Sequence, residues 1–240
     1  MGKLSSMHTL SALPALLCLF LTVGALQSRA EEFMPLTNGP VPPFQDMVLA
    51  SDAQNYVVHY PAVGVKEVDA FIAEWAAGLV ADAPAEAVLT NADGNRYTLY
   101  ELQARYSLSA GTPRYFSVVF FTTQTILDRR ENIIYTLNFD LQTRKSMDLK
   151  AIFTDLDKAL PRLPDLIAQA AADVVVQGGA PINLPYYVEH YSDHTDEFAR
   201  FLTVAFCPEG LNVYLSASDV ILLRKEDLIK VGAKATLWQN

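Results

Sequence analysis

The densest group of chemically active side chains in this sequence lies between residues 189 and 197. On a helix, His190 and His194 would share one face and could hold a metal ion, with an acidic residue of the same segment as third ligand. A helical zinc protease needs glutamate directly after the first histidine as its base, but Tyr191 stands there. The segment also has no apolar helical stripe. We therefore expect a solvated polar loop, and keep a metal-dependent hydrolase using His190 and His194 as the alternative.

The same segment is rich in tyrosine, with Tyr186, Tyr187 and Tyr191 close to acidic side chains. Tyrosine offers apolar area with a polar tip, which suits recognition of a protein or a glycan. A loop folded back onto the core is the alternative. We assign partner binding to Tyr186, Tyr187, Tyr191, His190 and His194, and we assign no catalytic residue, no metal ligand and no cofactor.

Other familiar catalytic patterns are missing from the sequence. It has no Gly-x-Ser-x-Gly elbow, no Ser-x-x-Lys and no glycine loop of the phosphate-binding kind. Asp140 and Asp148 could pose as paired carboxylates, but a turn and a helix cap explain them better. His59 lies in a strand and is expected to be a hydrogen-bonded core or edge histidine. Cys207, in an apolar strand, is expected to be a buried, inert thiol.

Two basic pairs, Arg129-Arg130 and Arg144-Lys145, stand out because the chain is acidic. The 240 residues include 27 acidic and 18 basic side chains, for a net charge of −9. Such a charge disfavours nucleic acid and anionic lipid, and it favours a basic protein partner or simple solubility. If the two pairs lay at one end of the sheet they could form a small anion site; otherwise they are solvated turns.

The N-terminus has the pattern of an export signal. Lys3 is followed by the uncharged, largely apolar stretch Leu10–Leu26, and Ser28-Arg29-Ala30 places small residues where a signal peptidase cleaves. We predict a signal peptide over residues 1–30 and a periplasmic or secreted protein, with a retained anchor as the alternative. Cys18 lies inside the signal after a leucine, which disfavours lipid attachment. The processed chain would keep one cysteine and no internal disulfide.

After the signal we expect a Pro-rich lead-in over residues 31–54 and a single domain over residues 55–240, or two small subdomains sharing a core. Strands and helices do not alternate strictly, so the pattern predicts an α+β fold in which an antiparallel β-sheet packs against two main helices. The predicted strands are 56–60, 96–109, 115–125, 133–141, 201–206, 211–215 and 220–223; the main helices run from Val65 to about Asp82 and over 163–176, with helical turns at 148–153 and 226–229.

The segment Tyr135–Phe153 has an unusual order: a strand ending in Asn-x-Asp, a basic turn, and Asp-Leu opening a helix. It resembles the extracytoplasmic domain family found in the anti-sigma factor RsiV and in the non-catalytic part of the peptidoglycan deacetylase PdaC (domain of unknown function 3298). Tyr60-Pro61 with the following helix, and the stretch Phe206–Tyr214, extend the resemblance over roughly 55–229. The Gly-Ala-His before the Asn-x-Asp strand and a Pro-Tyr stretch after the last hairpin are altered here, so ligands tied to those motifs do not carry over.

The resemblance implies an exported binding or sensing module, and in RsiV the comparable domain binds lysozyme. We therefore expect a non-enzymatic domain of the bacterial cell envelope that recognises a basic, lysozyme-like protein or a peptidoglycan-type glycan. A purely structural envelope component is a further alternative. No nucleic acid partner and no membrane span after signal cleavage are expected.

Overall fold

The computed structural model describes residues 33–177, 182, 202–215 and 219–239. Its strands are β1 (Thr37–Asn38), β2 (Gln45–Ser51), β3 (Tyr56–Ala62), β4 (Val88–Thr90), β5 (Arg96–Thr98), β6 (Tyr100–Ala110), β7 (Tyr115–Ile126), β8 (Arg129–Asp140), β9 (Lys145–Met147), β10 (Thr203–Cys207), β11 (Gly210–Tyr214) and β12 (Val220–Arg224). The α-helices are α1 (Lys66–Val80), α2 (Leu149–Ile152), α3 (Leu156–Ala159), α4 (Leu163–Val176) and α5 (Lys225–Lys230), with 3₁₀ turns at Leu160–Arg162 and Ala235–Trp238.

The main sheet has the strand order β2-β3-β6-β7-β8-β9. Strand β1 pairs with β6 on the same side as β3, but further along the strand. The three long strands β6, β7 and β8 form two antiparallel hairpins, whereas β3 and β1 both run parallel to β6. Alternation of apolar and polar residues along β6 buries one face of the strand, with Leu102, Ala104 and Leu108 on that face. The sheet therefore needs a cover on its apolar face.

Helix α1 provides that cover. Val68, Ile72 and Ala76 recur at helical spacing and are all buried, and the Trp75 ring lies 4.2 Å from that of Phe120 on β7. Asp69 accepts hydrogen bonds from the two backbone N–H groups that precede the helix, those of residues 63 and 64, at 2.7 and 3.1 Å. The helix predicted from Val65 onward is confirmed.

A second, smaller sheet of order β10-β11-β12 packs with α4 around another apolar cluster. Leu163, Ile167 and Ala171 give α4 one buried stripe, at intervals of four residues, against strand residues such as Phe206 and Leu223. Helix α4 has the bounds that the sequence predicted. Strand β10 also contacts β6, β7 and β8, so the second sheet lies on the face of the main sheet opposite α1.

The predicted α+β fold with an antiparallel sheet and two main helices, α1 and α4, is confirmed. Among the described residues, the helices are all too short or too polar to cross a bilayer. The Pro-rich lead-in differs from expectation, since β2 and the short β1 form within it. Prolines 40, 42 and 43 fall between these two strands, so they leave both ladders intact.

Candidate functional site

The five residues to which the sequence assigned partner binding, Tyr186, Tyr187, His190, Tyr191 and His194, lie outside the described residues. The metal-dependent alternative rests on the same segment and stays a hypothesis. Within the part of the chain that the structure describes, His, Cys, Asp and Glu side chains form no group of three that could hold a metal ion.

A cleft of about 100 Å³ lies between α4 and β12, along the side of α4 from Leu166 to Gln177. Its position follows from helical spacing, because the lining residues of α4 form the stripe beside the buried one. On β12, Ile221 and Leu223 turn into the core while Arg224 is exposed. The residues that line the cleft are Leu166, Gln169, Ala170, Asp173, Val174, Gln177, Leu222, Leu223, Arg224 and Asp227.

The polar groups of this cleft suit hydrogen bonding to a cation or to hydroxyl groups. Gln169 and Gln177 bring amides, and Asp173 and Asp227 bring carboxylates. Lys230 already donates to Asp227, at 2.7 Å. Asp173 has no side-chain partner among the described residues, so it is the carboxylate that a ligand can engage without breaking an existing ion pair.

The Asn-x-Asp motif performs two structural tasks. Asn138 Oδ1 accepts a 2.6 Å hydrogen bond from Ser117 Oγ, and its amide donates to the Val204 carbonyl at 3.0 Å. Ser117 Oγ also accepts from the Phe206 N–H at 2.7 Å. The network is buried and joins β7 and β8 of the main sheet to β10 of the second sheet, which makes Asn138 a structural residue rather than a ligand-binding one.

Asp140, the second residue of that motif, fixes a turn as the sequence predicted. Its carboxylate accepts from the N–H groups of Gln142 and Thr143, and it also forms a two-pronged ion pair with Arg114 at 2.8 and 2.7 Å. The Arg114 hydrogen bond is the main reason why the pKa of Asp140 lies below its ordinary value. Asp148 caps α2 through the Ala151 N–H, confirming its predicted role.

Two further sequence predictions concern single side chains. His59 is buried, and its Nδ1 lies 2.9 Å from Asp46 Oδ2, so the expectation of a hydrogen-bonded core histidine is confirmed. Cys207 is buried as predicted, and burial raises the pKa of its thiol to about 11. A thiol in this state is protonated at neutral pH and is a poor nucleophile.

The two basic pairs do not form a common anion site. Arg129-Arg130 begin β8, whereas Arg144-Lys145 follow the turn at its other end. The length of β8 separates the two pairs by about 37 Å. Each is also engaged locally: Arg129 pairs with Glu131 at 2.8 Å, and Arg144 pairs with Glu67 on α1 at 3.2 Å.

Sequence reasoning missed the cleft because its two walls lie about fifty residues apart in the chain. The only available signal was a second, more polar stripe on α4, formed by Gln169, Asp173 and Gln177. Periodicity identifies such a stripe but not the strand that faces it.

No family model matches the chain, and no curated protein matches it. Among solved structures, the chain is similar to a DUF3298 family protein from Pseudomonas aeruginosa PAO1, with a TM-score of 0.53 and 9% identity, over 85% of this chain and 99% of that chain. It also matches a DUF3298 family member from Bacteroides fragilis with a TM-score of 0.40 and 12% identity, over 80% of this chain and 94% of that one. The first likeness supports a DUF3298-like fold; at this identity it concerns the fold alone.

Proposed function

We propose that this protein is an exported, non-enzymatic binding or sensing domain of the bacterial cell envelope, and that it recognises a basic, lysozyme-like protein or a peptidoglycan-type glycan. The observation that carries the proposal is the cleft between α4 and β12. It combines Asp173, which has no side-chain partner among the described residues, with the amides of Gln169 and Gln177 and an apolar lining from α4 and β12. A lysine or arginine side chain can pair with Asp173, and sugar hydroxyls can bond the amides.

The position of the cleft in the chain supports a shared role with the tyrosine-rich segment. Gln177 lines the cleft, and Tyr186 follows nine residues later. The two features are therefore close neighbours in the sequence, and we propose that they act together. Tyrosines supply contact area and the cleft supplies charge, a division that is common at protein interfaces.

The acidic balance of the chain favours the basic protein as the first partner to test. A net charge of −9 attracts a cationic partner and accelerates association at low salt. We expect Asp173 to make the specific contact with that partner. It has no ion-pair partner among the described residues, so a cation can bind it without breaking an existing ion pair.

The test is calorimetric binding of the processed protein to lysozyme and, separately, to soluble peptidoglycan fragments at low salt. We expect Asp173→Asn to weaken lysozyme binding about tenfold, and Gln169→Ala to weaken glycan binding if the glycan is the ligand. Asp165→Asn is the matched control, because Asp165 is exposed on the same helix but does not line the cleft.

Saturable lysozyme binding that Asp173→Asn weakens and Asp165→Asn leaves intact supports the proposal, as does glycan binding that depends on Gln169. Absence of saturable binding to both probes would overturn it. Equal losses of lysozyme affinity in Asp173→Asn and Asp165→Asn would show that binding depends on overall charge and not on the cleft.

A further inference from the structure

The main sheet is forked where β3 leaves β6. Strand β6 pairs with β3 as far as Ala104 and with β1 from Leu108 onward. Between these points β3 continues along β2 instead, with His59 opposite Val48. Residues 105–107 of β6 therefore have no strand partner on this side, between the end of the β3 pairing and the start of the β1 pairing. Side chains must supply the packing there.

The aromatic ring of Phe33, in the segment before β1, covers this gap. The Phe33 ring lies 4.8 Å from that of His59 and 5.2 Å from that of Tyr106. The guanidinium of Arg105 lies 5.9 Å from the Phe33 ring centre. Residues 33–38, which we call the strap, thus lie across the fork, with Phe33 as their main anchor.

Buried polar atoms lie beneath the strap. Asp46 Oδ2 bonds His59, whereas Asp46 Oδ1 and the hydroxyl of neighbouring Tyr106 are buried and make no well-formed hydrogen bond among the described residues. Burial, followed by the nearby Asp46 charge, raises the pKa of Tyr106. A buried polar group without a good hydrogen bond destabilises the closed state. Water reaching these atoms would remove part of that destabilisation, which lowers the free energy needed to open the gap.

The strap itself is weakly attached. Its backbone pairs with β6 over only two residues, and the Leu36 carbonyl accepts from the Leu108 N–H at 2.9 Å. The large apolar side chains of Met34 and Leu36 are 84% and 80% exposed, so they add little burial. The chain is fixed just beyond the strap: Gly39 has φ +78°, and a Cβ there would lie 2.2 Å from the Ala110 carbonyl oxygen. Only glycine therefore fits at this position, where the chain is held against β6.

We propose that the strap opens about Gly39 while the rest of the domain stays folded, and that opening exposes the His59–Asp46–Tyr106 cluster and the free edge of β6. The inference is independent of the proposed binding function. It rests on a strand pairing of two residues, exposed apolar side chains, a chain held closely at Gly39 and poorly satisfied buried polar atoms beneath the Phe33 ring.

Native-state hydrogen exchange of the processed full chain tests this proposal. The Leu108 amide donates to the strap, whereas the neighbouring Ser109 amide points to β7 by the alternation of an antiparallel ladder. We expect Leu108 to exchange at least about tenfold faster than Ser109, through a local opening with little dependence on denaturant. Phe33→Ala should accelerate exchange at Leu108 about tenfold more and leave Ser109 unchanged.

Met34→Ala is the matched control, since Met34 lies in the same strap but points to solvent; it should change neither amide. Equal exchange of Leu108 and Ser109 in the wild-type protein, with the same steep denaturant dependence, would overturn the proposal. So would a Phe33→Ala variant that accelerates both amides equally, because the aromatic anchor would then belong to the globally unfolding core. Denaturant melts of each variant separate that result from simple misfolding.

Discussion

Ser117 Oγ donates a 2.6 Å hydrogen bond to Asn138 Oδ1 inside the interface between the two sheets. Each of the two side chains also bonds the backbone of β10: Asn138 donates to Val204, and Ser117 accepts from Phe206. Because β10 crosses the main sheet here, these backbone groups would otherwise be buried with fewer partners. The pair therefore joins two layers whose strands share no ladder.

Asn138→Ala should lower the free energy of unfolding by about 2–3 kcal/mol, since it leaves the Ser117 O–H without its acceptor and the Val204 carbonyl without the Asn138 donor. Chemical denaturation measures the change. Asn132→Ala is the matched control: Asn132 accepts from Thr123 at 2.8 Å across the same two strands, but at an exposed position, and its loss should cost less than about 0.5 kcal/mol. Similar losses in the two variants would contradict a special role for the buried network.

Asp140 should contribute to acid sensitivity. Its pKa in the folded protein is lowered, mainly by Arg114, so its contribution to stability is complete above the ordinary carboxyl value of 3.8 and disappears as pH falls through the lower folded value. Asp140→Asn should reduce stability at pH 7 by about 1–3 kcal/mol and flatten the decline below pH 4.

Unfolding curves at several pH values between 2 and 7 measure this effect. Asp155→Asn is its control: the pKa of Asp155 is also lowered, chiefly by a hydrogen bond from Lys158, but this pair lies in solvent and is screened. Parallel pH profiles for Asp140→Asn and the wild type would contradict the prediction.

Cys207 should resist thiol reagents in the folded protein. Burial raises the pKa of the Cys207 thiol to about 11, so the thiolate is a minor species at pH 8. The residue is also only 1% exposed. We expect negligible reaction with an aromatic disulfide reagent over minutes at pH 8, and one full equivalent after denaturation. Rapid labelling of the native, processed chain would place Cys207 in an accessible site instead.

The hydrolase alternative is tested by metal content. If the proposed binding role is correct, purified protein dialysed against zinc and then buffer should retain far less than one zinc per chain, and His194→Ala should not change that amount. Stoichiometric zinc that is lost in His194→Ala would favour the alternative. Plasma emission spectrometry gives the measurement, with His59→Ala as a histidine control outside the segment.

Local features of this fold were predictable because their causes lie within a few residues. The turn at Asp140 and the cap at Asp148 follow from hydrogen bonds to residues two or three positions away. The bounds of α4 follow from the spacing of its own apolar residues. The strands were less accurate at their ends. Strand β8 begins at Arg129 rather than at residue 133, because pairing with β7 orders a polar stretch that has no alternation of its own.

The candidate site was predictable only in part. The tyrosines and histidines of residues 186–194 were visible as residue types, whereas the cleft beside α4 was not. In the sequence Asp173 is one acidic residue among many; only the structure shows that it lines a cleft with Gln169 and Gln177, opposite β12.

The sequence by itself determined the α+β class, the main helices, the inert environment of Cys207 and the turn chemistry of the Asn-x-Asp motif, since hydrophobic period and capping act over one or two turns of chain. Only the tertiary structure decided that Asn138 joins two sheets, that β3 and β1 leave a fork in β6, and that α4 and β12 enclose a cleft. Each of these depends on which surfaces meet across a long stretch of chain, and that choice is made by the packing of the whole core rather than by any local pattern.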